Sequence, residues 1–364
     1  MDLPPGGEPD IREAEAWFRC GAKAGYALVR SRHCLQLHPG RRCLDLMLFL
    51  RNLATALATG FILFFFSERL FWTAFRPGDS VADLIVTWLA YSVLAGVFLN
   101  VVSRLRVRGA AAVFLAGGLY GWLAEGALVG TLYGTEPSAP FPLSLLCTGL
   151  SWHALISVLL GWYLLRSALS HRRPWPALGG SLAIGLFWGL WATFLWRETP
   201  PMVVPVAGFL THAMICTVLL ALSYVVLNRL PLEKHRPGWF GLGFSLLVLG
   251  VFYSEQVRVL GWRPILVLPP LILGVLVLLW KARERGPQSP DEIPAVSLPV
   301  RNLLGLLAIP LTATGVYAAQ LAAGLPGLPP NLIFQTTILV AGAVLAWAIF
   351  RVLRPAGQSA TDVD

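Results

Sequence analysis

Three ionisable side chains stand inside long apolar runs. They are Glu125 in GGLYGWLAEGALVGTLYG, His153 in LLCTGLSWHALISVLLGWYLL and His212 in PVAGFLTHAMICTVLL. Charge at membrane depth is costly, and such residues face a protein interior or a watery cavity where they carry function. A carboxylate and an imidazole together can accept a proton near neutral pH and give it back, the requirement of general acid–base catalysis and of proton coupling alike.

Spacing places these groups on particular helix faces. Gly117, Gly121 and Glu125 fall four apart, as do Gly149, His153, Ser157 and Gly161. Residues at this interval share one stripe of a helix, and a stripe of small residues lets another helix approach closely. A gapless echo reinforces the pattern: GLSWHALIS (Gly149 to Ser157) aligns with GFLTHAMIC (Gly208 to Cys216), keeping the Gly, His, Ala and Ile. At about 1.5 Å per residue, Glu125 lies roughly 24 Å above the cytoplasmic start of its helix, and His153 and His212 lie roughly 16 Å and 13 Å below their outer starts. The expectation is that all three converge on one outward-facing polar cavity, with Ser157, Thr211 and Cys216 as further lining groups. A second tier of candidates lies at outer helix ends: Glu68, Arg197, Glu198, Glu255 and Arg258 are substrate-binding candidates, the arginines for an anionic headgroup. Such residues, with Asp83, also suit a plain solvated interface.

The elements that must hold these groups follow from composition. Hydrophobic residues make up 56% of the 364-residue chain and charged residues only 13%, against about 25% charged in soluble domains. The fold expected is all-α, a polytopic transmembrane helix bundle. Ten apolar runs approach the roughly 20 residues that cross a bilayer: 46–66, 81–103, 109–131, 141–165, 177–196, 203–228, 238–254, 263–280, 302–322 and 331–350. Of the chain's 28 basic residues, one set of connections holds only Arg69, Arg76, Arg197, Arg258 and Arg263. The rest lie on the other side, which by the positive-inside rule puts both termini in the cytoplasm of a plasma (inner) membrane protein. The net charge of +9 is dispersed over these short loops, a topology signal that argues against nucleic acid as a partner and leaves the bilayer as the first one.

The chain divides into a cytoplasmic segment 1–43, a core 44–280 of about eight spans carrying the site, a Pro-rich linker 281–300, a hairpin 301–353 without internal charge, and a disordered tail 354–364. In the first segment the pattern from Ile11 to Val29 suits a helix on the membrane surface. His33, Cys34, His38 and Cys43 offer ligand atoms but lack the paired spacing of zinc sites. The first 40 residues contain no uninterrupted apolar core, so no cleavable signal peptide is expected. Pro269 and Pro270 fall inside the eighth span and should interrupt its hydrogen-bond ladder, which is tolerated where helices line a cavity. No phosphate-binding loop, His-Glu-x2-His motif or nucleophile elbow occurs.

Three functions fit. The first is a proton-coupled transporter of a small molecule or lipid, using Glu125 and the histidines in the outward-facing cavity. The second is a membrane-embedded enzyme acting on a lipid or lipid-linked substrate, with Glu125 as general base and a histidine as acid or ligand. The third is a b-type haem protein with His153 and His212 as axial ligands. The residues specify neither substrate, cofactor nor oligomeric state.

Overall fold

The computed structural model describes residues 39–74, 79–230, 238–284 and 298–354, and among them the regular elements are all helical. The chain divides into two units, 1–45 and 46–364; in the first, only the helical backbone from residue 39 on is described. The surface helix expected from Ile11 to Val29 and the His33, Cys34, His38 and Cys43 group fall outside the residues whose side chains are described. So do most of the 281–300 linker and the 354–364 tail.

Ten helices of the second unit are long and apolar enough to cross a membrane. They are α1 (Leu46–Phe71), α2 (Val81–Arg104), α3 (Gly109–Leu128), α4 (Leu143–Leu169), α5 (Trp175–Arg197), α6 (Val206–Arg229), α7 (Trp239–Leu260), α8 (Arg263–Arg283), α9 (Val300–Ala322) and α10 (Pro330–Leu353). Their bounds follow the apolar runs closely except at α7, which continues past residue 254 through Glu255 and Arg258. These two pair with each other one turn apart on the exposed face, so the helix carries its charges outside the bundle.

The centre of the bundle is α3 packed on α4. Of the most apolar stretch of α3, 83% is buried, against 11% for α7 and 17% for α8 and α10. The cause is its sequence: seven of the ten residues of GAAAVFLAGG are Gly or Ala, and where these face a neighbour it comes in to backbone distance. A Cβ built on Gly121 would lie 1.9 Å from the Gly149 carbonyl oxygen, and one on Gly117 would lie 3.0 Å from the Ala154 Cα. The α4 stripe receives α1 in the same way, since a Cβ on Gly161 would meet the Phe66 ring at 2.3 Å. A second close pair joins α5 to α9, where Gly185 faces the Ile309 carbonyl and Gly189 the Ala313 carbonyl.

Pro269 and Pro270 lie within a continuous α8, and both are exposed. Two missing N–H donors leave the carbonyls of Ile265 and Leu266 without their usual partners, but the flanking turns are continuous. The prolines lie on the outer face of the bundle and line no interior cavity.

Candidate functional site

Glu125 sits in a wide turn, Ala124–Leu128, that closes α3 just beyond the Gly121 crossing. Such i→i+5 hydrogen-bonded turns are uncommon and concentrate at functional sites. His153 lies on the similarly wide-turned stretch Cys147–Leu165 of α4. The two backbones touch at Gly121, where an added Cβ would meet the Gly149 carbonyl oxygen at 1.9 Å and the His153 Cβ at 2.9 Å, so the imidazole stands at the crossing and the Glu125 side chain, one turn on along α3, reaches it. Glu125 Oε1 is 2.7 Å from His153 Nε2, and both residues are buried. The other carboxylate oxygen accepts from the Thr131 hydroxyl, which the turn after α3 brings back beneath it.

The far side of the imidazole is occupied as well. His153 Nδ1 lies 2.9 Å from Ser67 Oγ, and Ser67 Oγ lies 2.6 Å from Ser157 Oγ, whose hydroxyl reaches the Trp152 carbonyl at 3.0 Å. Ser67 ends the long helix of α1 immediately after the Phe64, Phe65 and Phe66 run, and Phe66 against Gly161 sets its register against α4. Aromatic rings wall the site. Tyr120 stands edge-on to the imidazole at 5.5 Å, and Tyr91 at 6.1 Å donates its hydroxyl to Glu68.

This chain accommodates two protonation states of His153. With the ring neutral and its proton on Nε2 facing Glu125, Nδ1 accepts from Ser67, which accepts from Ser157. With the ring charged, Nδ1–H donates to Ser67, Ser67 to Ser157, and Ser157 to the Trp152 carbonyl. Only the hydroxyl hydrogens turn over, and no buried donor is stranded in either state. The Glu125 carboxylate compensates the imidazolium when it forms.

His212 is approached by a different route. It is buried on α6, with Cys216 Sγ at 3.8 Å and the Trp188 ring at 6.3 Å. Trp188 in turn packs on Phe65 at 5.5 Å and donates Nε1 to the Trp72 carbonyl. The buried Arg69 guanidinium, 5.2 Å from the Phe64 ring centre, is within electrostatic reach of His212. The segment from Ser67 to Trp72 therefore touches His153 through Ser67, brings Arg69 within electrostatic reach of His212, and is tied through Trp72 to Trp188, which packs near His212.

The remaining candidates disperse. Thr211 is exposed and bonds back to the Ala207 carbonyl. Arg197 is exposed and donates to the Gly327 carbonyl, Glu198 is exposed, and Glu255 and Arg258 pair with each other on the surface. Of the outer-end acids, only Glu68 adjoins the site, and Asp83 is exposed as the capping box of α2. Sequence reasoning passed over Ser67, Thr131, Tyr91, Tyr120 and Arg69. The SER triplet after an all-Phe turn was the signal for Ser67 and Arg69, and it reads equally well as an interfacial end.

Both ring nitrogens of His153 are engaged by protein partners. Among the described residues, no three His, Cys, Asp or Glu side chains gather as a metal site would need. No protein-family model, curated protein or solved structure matches this chain.

Proposed function

We propose that the protein is a membrane-embedded hydrolase in which Glu125 and His153 form the acid–base pair. The observation that carries this reading is the order of groups around one imidazole: carboxylate on Nε2, hydroxyl on Nδ1. A base with a nucleophile on one side and an orienting carboxylate on the other is the recurring arrangement of acyl-bond cleavage. His153 Nδ1 removes a proton as an oxygen bonds to the carbonyl carbon. The imidazolium, held by Glu125, then returns that proton to the departing amine or alkoxide. The attacking oxygen is either Ser67 Oγ itself or a water whose proton passes to the same nitrogen.

A proton-coupled transporter would use the same carboxylate. The relay, however, begins at Thr131 and ends on the Trp152 carbonyl, within one half of α3 and α4. A wire that stays in one half suits local proton transfer better than translocation. The ten helices support insertion in a bilayer, and the asymmetry of Lys and Arg supports both termini on the cytoplasmic side of a plasma (inner) membrane. On that placement the pair lies in the outer part of the membrane, so the substrate is a lipid, a lipid-linked molecule or a membrane-anchored peptide.

The test is turnover of ester- and amide-linked lipids and membrane-anchored peptides by the purified protein in micelles, beside Glu125→Gln. Cleavage that disappears in the variant supports the reading. Cleavage at equal rates in both would overturn it. A fluorophosphonate that labels Ser67 identifies the serine as nucleophile, and cleavage without labelling identifies water.

A further inference from the structure

At the opposite end of α4 from the Glu125–His153 pair stands a buried cation that the proposed mechanism does not use. Arg166 is 3% exposed, and its Nη1 has no hydrogen-bond partner. Among the described residues no carboxylate pairs with it. Its guanidinium carbon lies 5.8 Å from the ring centre of Trp162, one turn earlier on the same helix, and it is within electrostatic reach of Tyr224. The Tyr224 hydroxyl is already committed to the Gly161 carbonyl at 2.7 Å.

Trp162 makes the case specific. It is fully buried, and its indole Nε1 also has no hydrogen-bond partner. Arginine and tryptophan side chains are donors only, and the guanidinium is charged at any physiological pH. Two buried donors without partners, one turn apart on the same helix, leave an acceptor to be supplied from outside the described side chains. A buried water satisfies hydrogen bonds but not charge, and an uncompensated buried cation is strongly unfavourable. The missing partner is therefore an anion.

Position narrows its chemistry. Arg166 lies three residues from the end of α4, roughly 4.5 Å along the axis, next to the loop carrying Arg172 and Arg173. In the membrane placement proposed above this is the headgroup level of the cytoplasmic leaflet, where anionic lipids concentrate. We infer that Arg166 and Trp162 form a binding site for a phosphate group, delivered by an anionic phospholipid or as the free ion, with the guanidinium taking two oxygens. The site is separate from the proposed acid–base pair and survives if that pair proves not to be catalytic.

The test is thermal unfolding of the delipidated full-length protein in uncharged detergent, titrated with phosphatidylglycerol, phosphatidylcholine or inorganic phosphate. Phosphatidylglycerol should raise the Tm of the wild type and phosphatidylcholine should not. A matching rise with inorganic phosphate would assign the site to the free ion, and none would assign it to the lipid. Arg166→Met should weaken the apparent affinity for phosphatidylglycerol at least tenfold, yet unfold no earlier than wild type without lipid, because it removes an uncompensated buried charge. Trp162→Phe keeps the ring and the guanidinium and should weaken affinity about threefold, which keeps the test open if Arg166→Met fails to fold. Equal lipid-dependent shifts in the wild type and in whichever of the two variants folds, or no shift in the wild type with either anion, would overturn the site.

Discussion

Glu125 and His153, 28 residues apart and on different helices, meet through Oε1 and Nε2 at 2.7 Å because two glycines let their helices touch. Gly121 and Gly149 form the crossing, with His153 beside Gly121 and Glu125 one turn on along α3. The geometry of the proposed acid–base pair is thus set by the absence of two side chains.

Gly121→Ala should therefore disable the site without touching either functional group. The new Cβ would lie 1.9 Å from the Gly149 carbonyl oxygen, a backbone atom that yields only if α3 and α4 separate. The expected cost is about 1–3 kcal/mol, with activity lost beyond what the lower stability explains. Gly118→Ala is the control, because its Cβ would meet only the end of the Leu150 side chain at 3.1 Å. It should be close to wild type in both thermal unfolding and turnover.

Glu125→Gln and His153→Ala should each reduce turnover by roughly 10²–10⁴, the usual contribution of a positioned acid or base. The double variant should be little worse than the more damaging single one, since the two act as a unit. Additive losses would show that they act independently.

The two serines should separate. Ser67 touches the imidazole directly and Ser157 touches it only through Ser67. Ser67→Ala is expected to cost at least tenfold more turnover than Ser157→Ala. Equal effects would place the attacking oxygen elsewhere.

The helical frame was legible in the residues, and so was half of the site. Apolar runs of membrane length stand out whatever their partners, and the interval of four through Gly117, Gly121 and Glu125 shows which face of α3 is approached. What that interval does not show is register between helices. Ser67 enters the site because Phe66 seats against Gly161, a tertiary fact with no trace in the spacing of α1. The echo between the two histidine segments misplaced Thr211 for the same reason. It aligned α6 with α4, but α6 is less enclosed, with 44% of its apolar stretch buried against 61% for α4, and Thr211 falls on the exposed side. The paired prolines of α8 remove two ladder bonds as their sequence requires, but that loss does not tell which face of the helix they occupy.

Glu255 and Arg258 mark the boundary between charge and function. They pair with each other on the exposed face of α7, where screening leaves such contacts with little effect. Glu255→Ala should leave turnover and thermal unfolding unchanged.

Orientation is checked by labelling single cysteines introduced into a background lacking Cys20, Cys34, Cys43, Cys147 and Cys216. A cysteine replacing Arg172 should resist an impermeant reagent added outside intact cells, and one replacing Thr135 should react. The reverse pattern would invert the proposed topology.

The most direct measurement works whatever the substrate is. Membranes containing the wild type or Glu125→Gln are incubated in water enriched in ¹⁸O, and the carboxyl groups of their lipids and peptides are surveyed by mass spectrometry. Hydrolysis places one oxygen from water in the product acid, whether the attack is direct or through an acyl-serine. A labelled product is expected in wild-type membranes and should fall at least a hundredfold in the variant at equal protein level, in line with the loss of the carboxylate that orients and compensates the base. Identical labelling in the two membranes would contradict a hydrolytic role for the Glu125–His153 pair.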